Sequence, residues 1–388
     1  MRPLYAAVFF QGLVFWYVVD KLVATKVGLS ATGIATILGV MSLLTIIAEI
    51  PTGILADRWS RKGVLIISAG FLAAATFFGS IATHPWHYLA LSICWGIFFA
   101  MYSGTYEAMV YDTLIEEQGH ADDFEKRFGR VGQFDGSALM IGSLGGGVLA
   151  SSFGLHLPFY LTFVSIACSI VALMRFREPR VHKHVDQATK LIQHARQTFR
   201  AALHSPVLLA LFLVSATLGA TMRLGFEFNQ LWYIKLGLPV ALFGVFNSSV
   251  FLMLIVRSKL LEILPTGRFD LLVMVLLGGA LASVGLSAKN PYLAATAVSI
   301  VMLFALSSGL IITGLQQQRF PSKVRAGAVS VISTVTHLTF IPVGYSFGVL
   351  VDRLGISRAS WFVTILFLVS AMFALRARRA ELTANRVQ

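Results

Sequence analysis

Acidic residues within long apolar segments are the first feature of this sequence that could do chemistry. Four of them stand out: Glu49, Glu107, Asp135 and Glu227. A charged side chain costs about 2.5–3.5 kcal/mol at the centre of a bilayer, so such residues face the protein interior or a water-filled path. A carboxyl group in that position can bind and release a proton near neutral pH. All four are therefore candidates for proton coupling, and a buried structural ion pair is the alternative role.

Polar and aromatic residues in the same segments are candidates for binding a solute. Arg223 and Glu227 lie four residues apart, which places them on one face of a helix, where they can pair with each other or line a polar path. The candidate cavity residues are Arg223, Glu227, Asn229, Gln230, Gln11, Tyr102 and Tyr106. Further aromatic residues would suit an amphipathic ligand or, alternatively, face lipid: Phe9, Phe10, Phe15, Trp16, Tyr17 and Trp95.

The elements that must position these residues are membrane-spanning helices. The chain has 388 residues, of which 56% are hydrophobic and only 13% charged, a composition outside the range of soluble domains. Twelve apolar runs are long enough to cross a bilayer, which takes roughly 17 to 25 residues, and the first covers residues 4–25. We predict an all-α polytopic membrane protein with twelve transmembrane helices in two pseudo-symmetric six-helix bundles.

The basic charge of the chain has a topological meaning. The net charge is +13, and most Lys and Arg residues lie in or beside alternate connections, on the predicted inside, whereas few, such as Lys21 and Arg353, lie on the predicted outside. This asymmetry is the positive-inside pattern and predicts that both termini are cytoplasmic. It makes membrane lipids, and not nucleic acid, the expected partners of the basic charge. Short tails favour a bacterial inner membrane as the location.

A polar, basic segment divides the chain. Residues 177–205 are rich in Arg, Lys and His, and apolar residues recur there at helical spacing, which predicts a basic amphipathic helix on the cytoplasmic membrane surface. This linker separates an N-terminal six-helix bundle, residues 1–176, from a C-terminal six-helix bundle, residues 206–388.

Short internal repeats indicate that the two halves are related. The segment KVGLS at Lys26–Ser30 recurs as KLGLP at Lys235–Pro239. The segment GVLASSFG at Gly147–Gly154 recurs as GVLVDRLG at Gly348–Gly355. Because the two pairs agree in order and offset, they favour a duplicated six-helix unit, which is typical of transporters with a central site.

One short segment, AEIPTGILADRWSRKG at Ala48–Gly63, concentrates charge between the second and third spans. Its core, Gly53–Lys62, resembles the G-x-L-x-D-R-x-G-R-K loop signature of the major facilitator superfamily, with Ser60 where the family usually has Gly. Together with twelve spans and two halves, the resemblance covers essentially the whole chain.

The resemblance implies a conformational latch at this loop, made when the transporter is open outward and broken when it opens inward. The implied latch residues are Gly53, Asp57, Arg58, Arg61, Lys62, Asp112, Arg127 and Arg130. Both aspartates lie at the cytoplasmic ends of their helices, where each can pair with Arg58, Arg127 or Arg130. The alternative is that the basic residues only determine topology.

The fifth span contains ALMIGSLGGGVL, Ala138–Leu149, which resembles the G-P-x-x-G-G signature of proton-coupled exporters in this superfamily, with Ser143 replacing the proline. Close helix packing through Gly132/Gly136 and Gly142/Gly146 also accounts for the glycines. Since the fourth helix lines the cavity in this superfamily, the resemblance ranks Glu107 first among the proton carriers.

These features predict a secondary active transporter that works by alternating access. Sequence patterns for a phosphate-binding loop, a zinc site or a nucleophile elbow are absent, so we expect neither an enzyme nor a cofactor or metal. The predicted function is proton-coupled export of amphipathic or drug-like molecules by a monomer, with a small-molecule substrate and the proton as its partners. The alternatives are a proton-coupled importer of a small nutrient and a non-transporting membrane scaffold or sensor.

Overall fold

The computed structural model describes residues 1–120, 122–179, 205–263, 268–320 and 322–387. Within these ranges all regular elements are helices, and eleven helical stretches are long and apolar enough to cross a membrane. A further apolar helix, Val240–Leu252, is shorter and begins the predicted eighth span. The predicted all-helical, polytopic fold is confirmed. The predicted amphipathic helix of the linker lies outside the described residues.

The helices follow one another with short connections. In the first half they are α1 (Arg2–Gly12), α2 (Asp20–Lys26), α3 (Ala31–Arg58), α4 (Arg61–Ser80), α5 (Pro85–Gln118), α6 (Phe124–Phe153) and α7 (Leu157–Arg175). In the second half they are α8 (Pro206–Leu236), α9 (Val240–Ile263), α10 (Phe269–Ser283), α11 (Pro291–Arg319), α12 (Ser322–Leu354), α13 (Ile356–Ala359) and α14 (Trp361–Val387). Gly119 and Gly237 end α5 and α8 in the left-handed conformation, with φ of 79° and 77°.

The first span is not the continuous helix that the sequence predicts. A 3₁₀ turn, Phe15–Val18, separates α1 from α2, in a stretch rich in aromatic and β-branched residues that lower helix propensity. Partners outside the helix hold the interrupted segment. The backbone N–H of Phe15 donates to Thr162 Oγ1 at 3.0 Å, and Trp16 Nε1 donates to Thr76 Oγ1 at 3.1 Å.

A buried ion pair follows this turn. Lys21 Nζ lies 2.5 Å from Asp20 Oδ2, and Tyr88 of α5 donates to the same oxygen at 3.3 Å. The two charged residues are only 3% and 4% exposed. Lys21, which the charge pattern places on the outer side of the membrane, is therefore buried within the protein. Neutralisation by the adjacent carboxylate is what lets this lysine lie in the protein interior.

The helices form two compact units. The first unit contains Met1–Leu29, Val40–Ala188 and Pro239–Ser248. The second contains Ser30–Gly39, Thr189–Leu238 and Ser249–Gln388. Each unit thus holds most of one sequence half, while α3 and α9 are divided, each contributing its first residues to the unit of the other half.

Small residues of α6 allow close approaches in the first unit. A Cβ atom on Gly142 would lie 3.2 Å from the backbone nitrogen of Val14, and one on Gly146 only 2.0 Å from the Phe15 carbonyl oxygen. The interrupted first span therefore packs directly on α6, and the predicted packing role is confirmed for these glycines. It is wrong for Gly132 and Gly136, which have open space at the same position among the described residues.

Ser143, which replaces the proline of the exporter signature, belongs to a second close contact of this unit. A Cβ atom on Gly244 of α9 would lie 2.0 Å from the Ser143 carbonyl oxygen. The Ser143 hydroxyl also accepts a hydrogen bond of 3.0 Å from Asn247 Nδ2. The serine thus supplies a hydrogen-bonding group to α9 that proline lacks.

In the second unit, α8 packs against α11, α12 and α14. Trp232 of α8 donates from Nε1 to Ser360 Oγ at 2.9 Å, and its ring stacks on Phe347 at 5.3 Å between centroids. At the end of α12, the Asp352 carboxylate accepts hydrogen bonds from the backbone N–H groups of Ala31 and Thr32. These two residues begin α3, so Asp352 caps the first turn of that helix.

Candidate functional site

An aromatic column runs along α5 in the first unit. It consists of Trp95, Phe98, Tyr102 and Tyr106, which are spaced three or four residues apart and therefore share one helix face. Successive ring centroids are 5.2, 5.3 and 4.7 Å apart. At its first end, Trp95 contacts the ring of Trp16 at 5.3 Å. Phe98 and Tyr106 are buried, whereas Trp95 and Tyr102 are half-buried. The column is therefore a continuous stack of aromatic rings more than two helical turns long that is only partly accessible.

Polar groups cluster at the other end of the aromatic column. Tyr106 donates a hydrogen bond of 2.9 Å to Gln11 Oε1, and Tyr102 donates one of 3.4 Å to Asp135 Oδ1. Gln11 is only 2% exposed, and its Nε2 has no hydrogen-bond partner among the described residues. We call Gln11, Tyr102, Tyr106 and Asp135 the polar cluster. It joins α1, α5 and α6.

The close approach of α1 to α6 brings Asp135 into the polar cluster. A Cβ atom on Gly12 would lie 2.8 Å from Asp135 Oδ1. A larger residue at this position of α1 would displace the carboxylate or separate α1 from α6. The carboxylate is half-buried, so it keeps access to solvent while it contacts the tyrosine. This combination lets Asp135 exchange a proton or bind a polar group of a solute.

The other predicted proton carriers lie elsewhere. The side chains of Glu49 and Glu107 are exposed, and neither makes a hydrogen bond or ion pair with another described residue. Glu227, in the second unit, is half-buried. Of the four acidic candidates, Asp135 is the one that the structure joins to the predicted cavity residues Gln11, Tyr102 and Tyr106.

A charged cluster lies at the end of the first unit where α3 gives way to α4. Arg61 Nη2 lies 3.2 Å from Asp57 Oδ1, one turn earlier in the chain. Its Nη1 donates to Asp112 of α5 and to the Ala108 carbonyl oxygen at 3.1 Å. A single guanidinium group thus joins two carboxylates from two helices, using donors that point in different directions.

Glu178, which follows α7, completes the charged cluster. Its carboxylate accepts hydrogen bonds of 2.6 Å from the backbone N–H of Arg61 and from the Ser60 hydroxyl. Ser60 is the N-cap of α4, and its Oγ accepts from Gly63 N at 2.8 Å. A carboxylate at a helix N-terminus is favourable because the first N–H groups have no intrahelical partner. Ser60 thus takes a role that glycine at this position has no side chain to fill.

The predicted latch residues are only partly brought together. Asp57, Arg61 and Asp112 meet, and Lys62 Nζ donates to the Met174 carbonyl oxygen at 2.9 Å. The sequence predicted Arg58, Arg127 or Arg130 as the partner of Asp57 and Asp112. In the structure both aspartates pair with Arg61. Arg127 and Arg130 form no ion pair within the described part of the chain, while Gly53 and Arg58 lie exposed near the end of α3.

In the second unit, Arg223 of α8 points to α12. Its Nη1 lies 2.5 Å from His337 Nδ1 and 3.0 Å from Nε2, and its guanidinium carbon lies 4.9 Å from the centre of the Phe340 ring. Asn229 and Gln230, the other candidate cavity residues, are 1% and 2% exposed. They belong to the buried side of α8.

Three residues with evident roles were missed at the level of sequence: Glu178, His337 and Asp352. Glu178 stands among arginines and reads as part of the basic linker. His337 is a lone histidine in an apolar helix. Asp352 lies in GVLVDRLG, one copy of the internal repeat. The other copy, GVLASSFG, has no acidic residue, so comparing the two copies gave little reason to single out Asp352. All three act through partners distant in sequence.

Sequence comparisons relate this chain to known proteins. The sequence model of the Major Facilitator Superfamily matches residues 3–342. The MFS-type transporter MJ1560 of Methanocaldococcus jannaschii, itself uncharacterised, is 23% identical over 373 residues, or 92% of each chain. The multidrug resistance protein MdtG of Serratia proteamaculans is 31% identical over 175 residues, which are 45% of this chain and 40% of MdtG. This chain therefore matches less than half the length of that relative.

Solved structures show the same fold at low sequence identity. The nucleoside transporter NupG has a TM-score of 0.75 with 15% identity, over 97% of this chain and 98% of NupG. The D-xylose-proton symporter has a TM-score of 0.71 with 17% identity, over 96% and 95%. At these identities the likeness concerns the fold alone.

Proposed function

This chain belongs to the major facilitator superfamily, and we propose that within it the chain is an exporter of amphipathic molecules that takes up protons in exchange. As a member of this family it is a multi-pass membrane transporter and not an enzyme. The observation that carries the proposal is the junction of the aromatic column with the polar cluster on one face of α5.

The aromatic column and the polar cluster match the two parts of an amphipathic molecule. Aromatic rings bury large apolar areas at little cost in side-chain entropy. The half-buried Asp135 carboxylate accepts a hydrogen bond from the polar end of the solute or pairs with a cation. We expect a solute with a flat apolar body and one polar end.

Asp135 is our choice for the proton carrier, ahead of Glu107 and Glu49. A proton carrier must contact water in one conformation and the solute in another. It also needs a neighbouring group whose hydrogen bond changes with the charge of the carrier. The half-buried carboxylate of Asp135 has such a neighbour in the Tyr102 hydroxyl. When Asp135 is neutral, it no longer attracts a cationic solute, so proton uptake favours solute release.

Export, and not import, is the direction favoured by the MdtG similarity, because that relative is a multidrug resistance protein. We further propose that the charged cluster of Asp57, Arg61, Asp112 and Glu178 is the conformational latch of this transporter. The positive-inside pattern supports cytoplasmic termini in a bacterial inner membrane. A chain of this kind needs no second copy for alternating access, and we propose a monomer.

Transport in proteoliposomes tests the function. Purified protein is reconstituted with a fluorescent quaternary ammonium dye, which cannot cross the bilayer as a neutral base, inside the vesicles and an imposed pH gradient. We expect efflux toward the more acidic compartment, loss of the gradient during efflux, and no effect of an equal gradient across protein-free vesicles. Uptake driven in the direction of proton entry would establish an importer. Absence of both gradient-driven movement and counterflow, with any solute of this class, would favour a scaffold or sensor.

A further inference from the structure

We propose that Arg223 and His337 in the second unit form a binding site for an organic anion, and that the site binds the anion together with a proton. This inference goes beyond the proposed transport function, because it assigns a separate anion site to the second unit. It concerns residues on α8 and α12 that lie outside the polar cluster.

The contact between the two side chains favours the neutral form of the histidine. Arg223 Nη1 lies close to both imidazole nitrogens, at 2.5 and 3.0 Å. A guanidinium group has only donors, and an imidazolium ring has no acceptor to offer. The close approach of the guanidinium group therefore disfavours protonation of His337 in the absence of an anion.

A second residue of α12 fixes the position of the guanidinium group. Phe340 lies three residues after His337 and thus on nearly the same helix face. Its ring centre is 4.9 Å from the guanidinium carbon of Arg223, and Phe340 is fully buried. The ring is also within 6.4 Å of the Phe228 ring of α8. The aromatic contact keeps Arg223 against α12 whatever the charge of His337.

Protonation of His337 would make its contact with Arg223 repulsive. Two cationic groups would then lie about 3 Å apart, each with donors only, and Coulomb repulsion at that distance is large outside bulk water. A carboxylate or phosphate placed between them would relieve the repulsion and accept from both. The affinity for the anion and the affinity for the proton therefore rise together, as linkage requires.

The charged and titratable groups on the elements around His337 are few. On α8, Glu227 lies one turn after Arg223 and is half-buried, and Lys235 lies near the helix end. The first turns of α3 contribute none, and α13 contributes the exposed Arg358. On α12 itself, the other charged and titratable residues are all more than two turns away: Lys323, Arg325, Tyr345, Asp352 and Arg353. Glu227 is thus the acidic group placed to compete with an added anion.

The neighbourhood also limits the class of anion. Arg223 and His337 are both half-buried, so neither is fully enclosed by the packed helices. A guanidinium group binds a carboxylate through two parallel donors. We therefore expect an organic carboxylate, and benzoate serves as a simple probe of this class.

Calorimetric titration of the purified full chain in detergent tests the site with benzoate, which is ionised throughout the range, and with neutral benzamide as the matched control. We expect benzoate to bind at least about fivefold more tightly at pH 5.5 than at pH 8, because the bound anion favours the protonated imidazole. Benzamide should not bind with this dependence. His337→Gln should abolish the pH dependence, Arg223→Gln should abolish benzoate binding, and Glu227→Gln should strengthen it.

The matched control variant is His84→Gln, which removes an exposed histidine of the first unit and should retain the wild-type pH dependence. Equal binding of benzoate and benzamide by the wild-type chain would overturn the proposal, as would an unchanged pH dependence in His337→Gln. The wild-type comparison stands even if the His337 variant does not fold. Because binding is measured without a gradient, failure here leaves the outcome of the efflux experiment unaffected, and the two proposals are judged separately.

Discussion

Asp352 Oδ2 accepts a hydrogen bond of 2.8 Å from the backbone N–H of Thr32, which precedes it by 320 positions in the chain. The other carboxylate oxygen accepts from Ala31 N at 3.0 Å. Both donors belong to the first turn of α3, where N–H groups have no intrahelical partner. The end of one helix thus caps the beginning of another within the second unit.

Replacing Asp352 by Leu should loosen the first turn of α3. The loss of a charge at a helix N-terminus costs about 0.3–1 kcal/mol at an exposed site, so hydrogen exchange in peptides covering residues 29–40 should accelerate by up to about fivefold. Asp352→Asn should lie between Leu and the wild type, because an amide oxygen still caps the helix. Arg353→Gln, at the neighbouring exposed position, is the control. Equal exchange in all four proteins would mean that the carboxylate does not hold α3.

Arg61→Gln should destabilise the first unit by about 1–2 kcal/mol, because it leaves Asp57 and Asp112 without their shared cation at a partly buried site. Arg61→Lys should recover only part of the loss, since one ammonium group lacks the separate donors that reach both carboxylates. Thermal unfolding in detergent measures the effect.

A double-mutant cycle separates this cluster from a simple loop charge. Asp112→Asn combined with Arg61→Gln should cost less than the sum of the two single changes, because the second change removes a carboxylate already left unpaired. Strict additivity would show that Arg61 and Asp112 do not interact in solution. Arg127→Gln, which removes a nearby arginine with no ion pair among the described residues, serves as the control.

Ser60→Ala should cost about 1 kcal/mol, since α4 loses its N-cap. Ser60→Gly should be milder by several tenths of a kcal/mol, because glycine is itself tolerated at an N-cap. The midpoints of chemical unfolding provide the comparison. If alanine and glycine have identical effects, the hydroxyl contributes through Glu178 and not through the cap, and Glu178→Gln should then reproduce the loss.

Asp135→Asn should uncouple transport in proteoliposomes. The amide keeps the size and the hydrogen bond of Asp135 but does not titrate near neutral pH, so exchange of labelled for unlabelled solute should survive while movement driven by a pH gradient is lost. Glu107→Gln is the matched control, with an exposed carboxylate of α5, and should remain coupled. The opposite result would return the proton carrier to Glu107, and loss of coupling in neither variant would direct attention to Glu227.

Reporter fusions test the orientation. A cytoplasmic reporter at the C-terminus and another within residues 177–205 should both be active, because the basic connecting segments are expected to remain inside. A reporter placed after residue 154 should be inactive, since it follows the fifth predicted span and an odd number of crossings places it outside the cytoplasm. Activity at that control site together with silence at the C-terminus would invert the proposed topology.

The fold was largely predictable because a bilayer permits few solutions. Each span must satisfy its own backbone hydrogen bonds, so length and hydropathy alone identify the helices. The interruption at Phe15–Val18 was not predictable in the same way, because it depends on Thr162 and Thr76 accepting hydrogen bonds from distant helices. Hydropathy reads that stretch as uninterrupted.

The residue types of the candidate site could be predicted from the sequence, but the pairs that these residues form could not. The sequence singled out Asp57, Asp112 and Arg61, yet only the arrangement of α3, α4 and α5 shows that one arginine serves both aspartates. Depth along a helix likewise suggested Glu107 as a buried carboxylate, whereas its rotation about the helix axis places it on an exposed face. Helical phase relative to neighbours is a tertiary property.

The ion pair of Asp20 and Lys21 has a consequence for biosynthesis. Its partners are adjacent in the chain, so each can neutralise the other as soon as the first span leaves the ribosome. Tyr88, which also contacts Asp20, is synthesised much later. The nascent segment can thus enter the insertion machinery without exposing an isolated charge to lipid, and the later helix only fixes the pair in place.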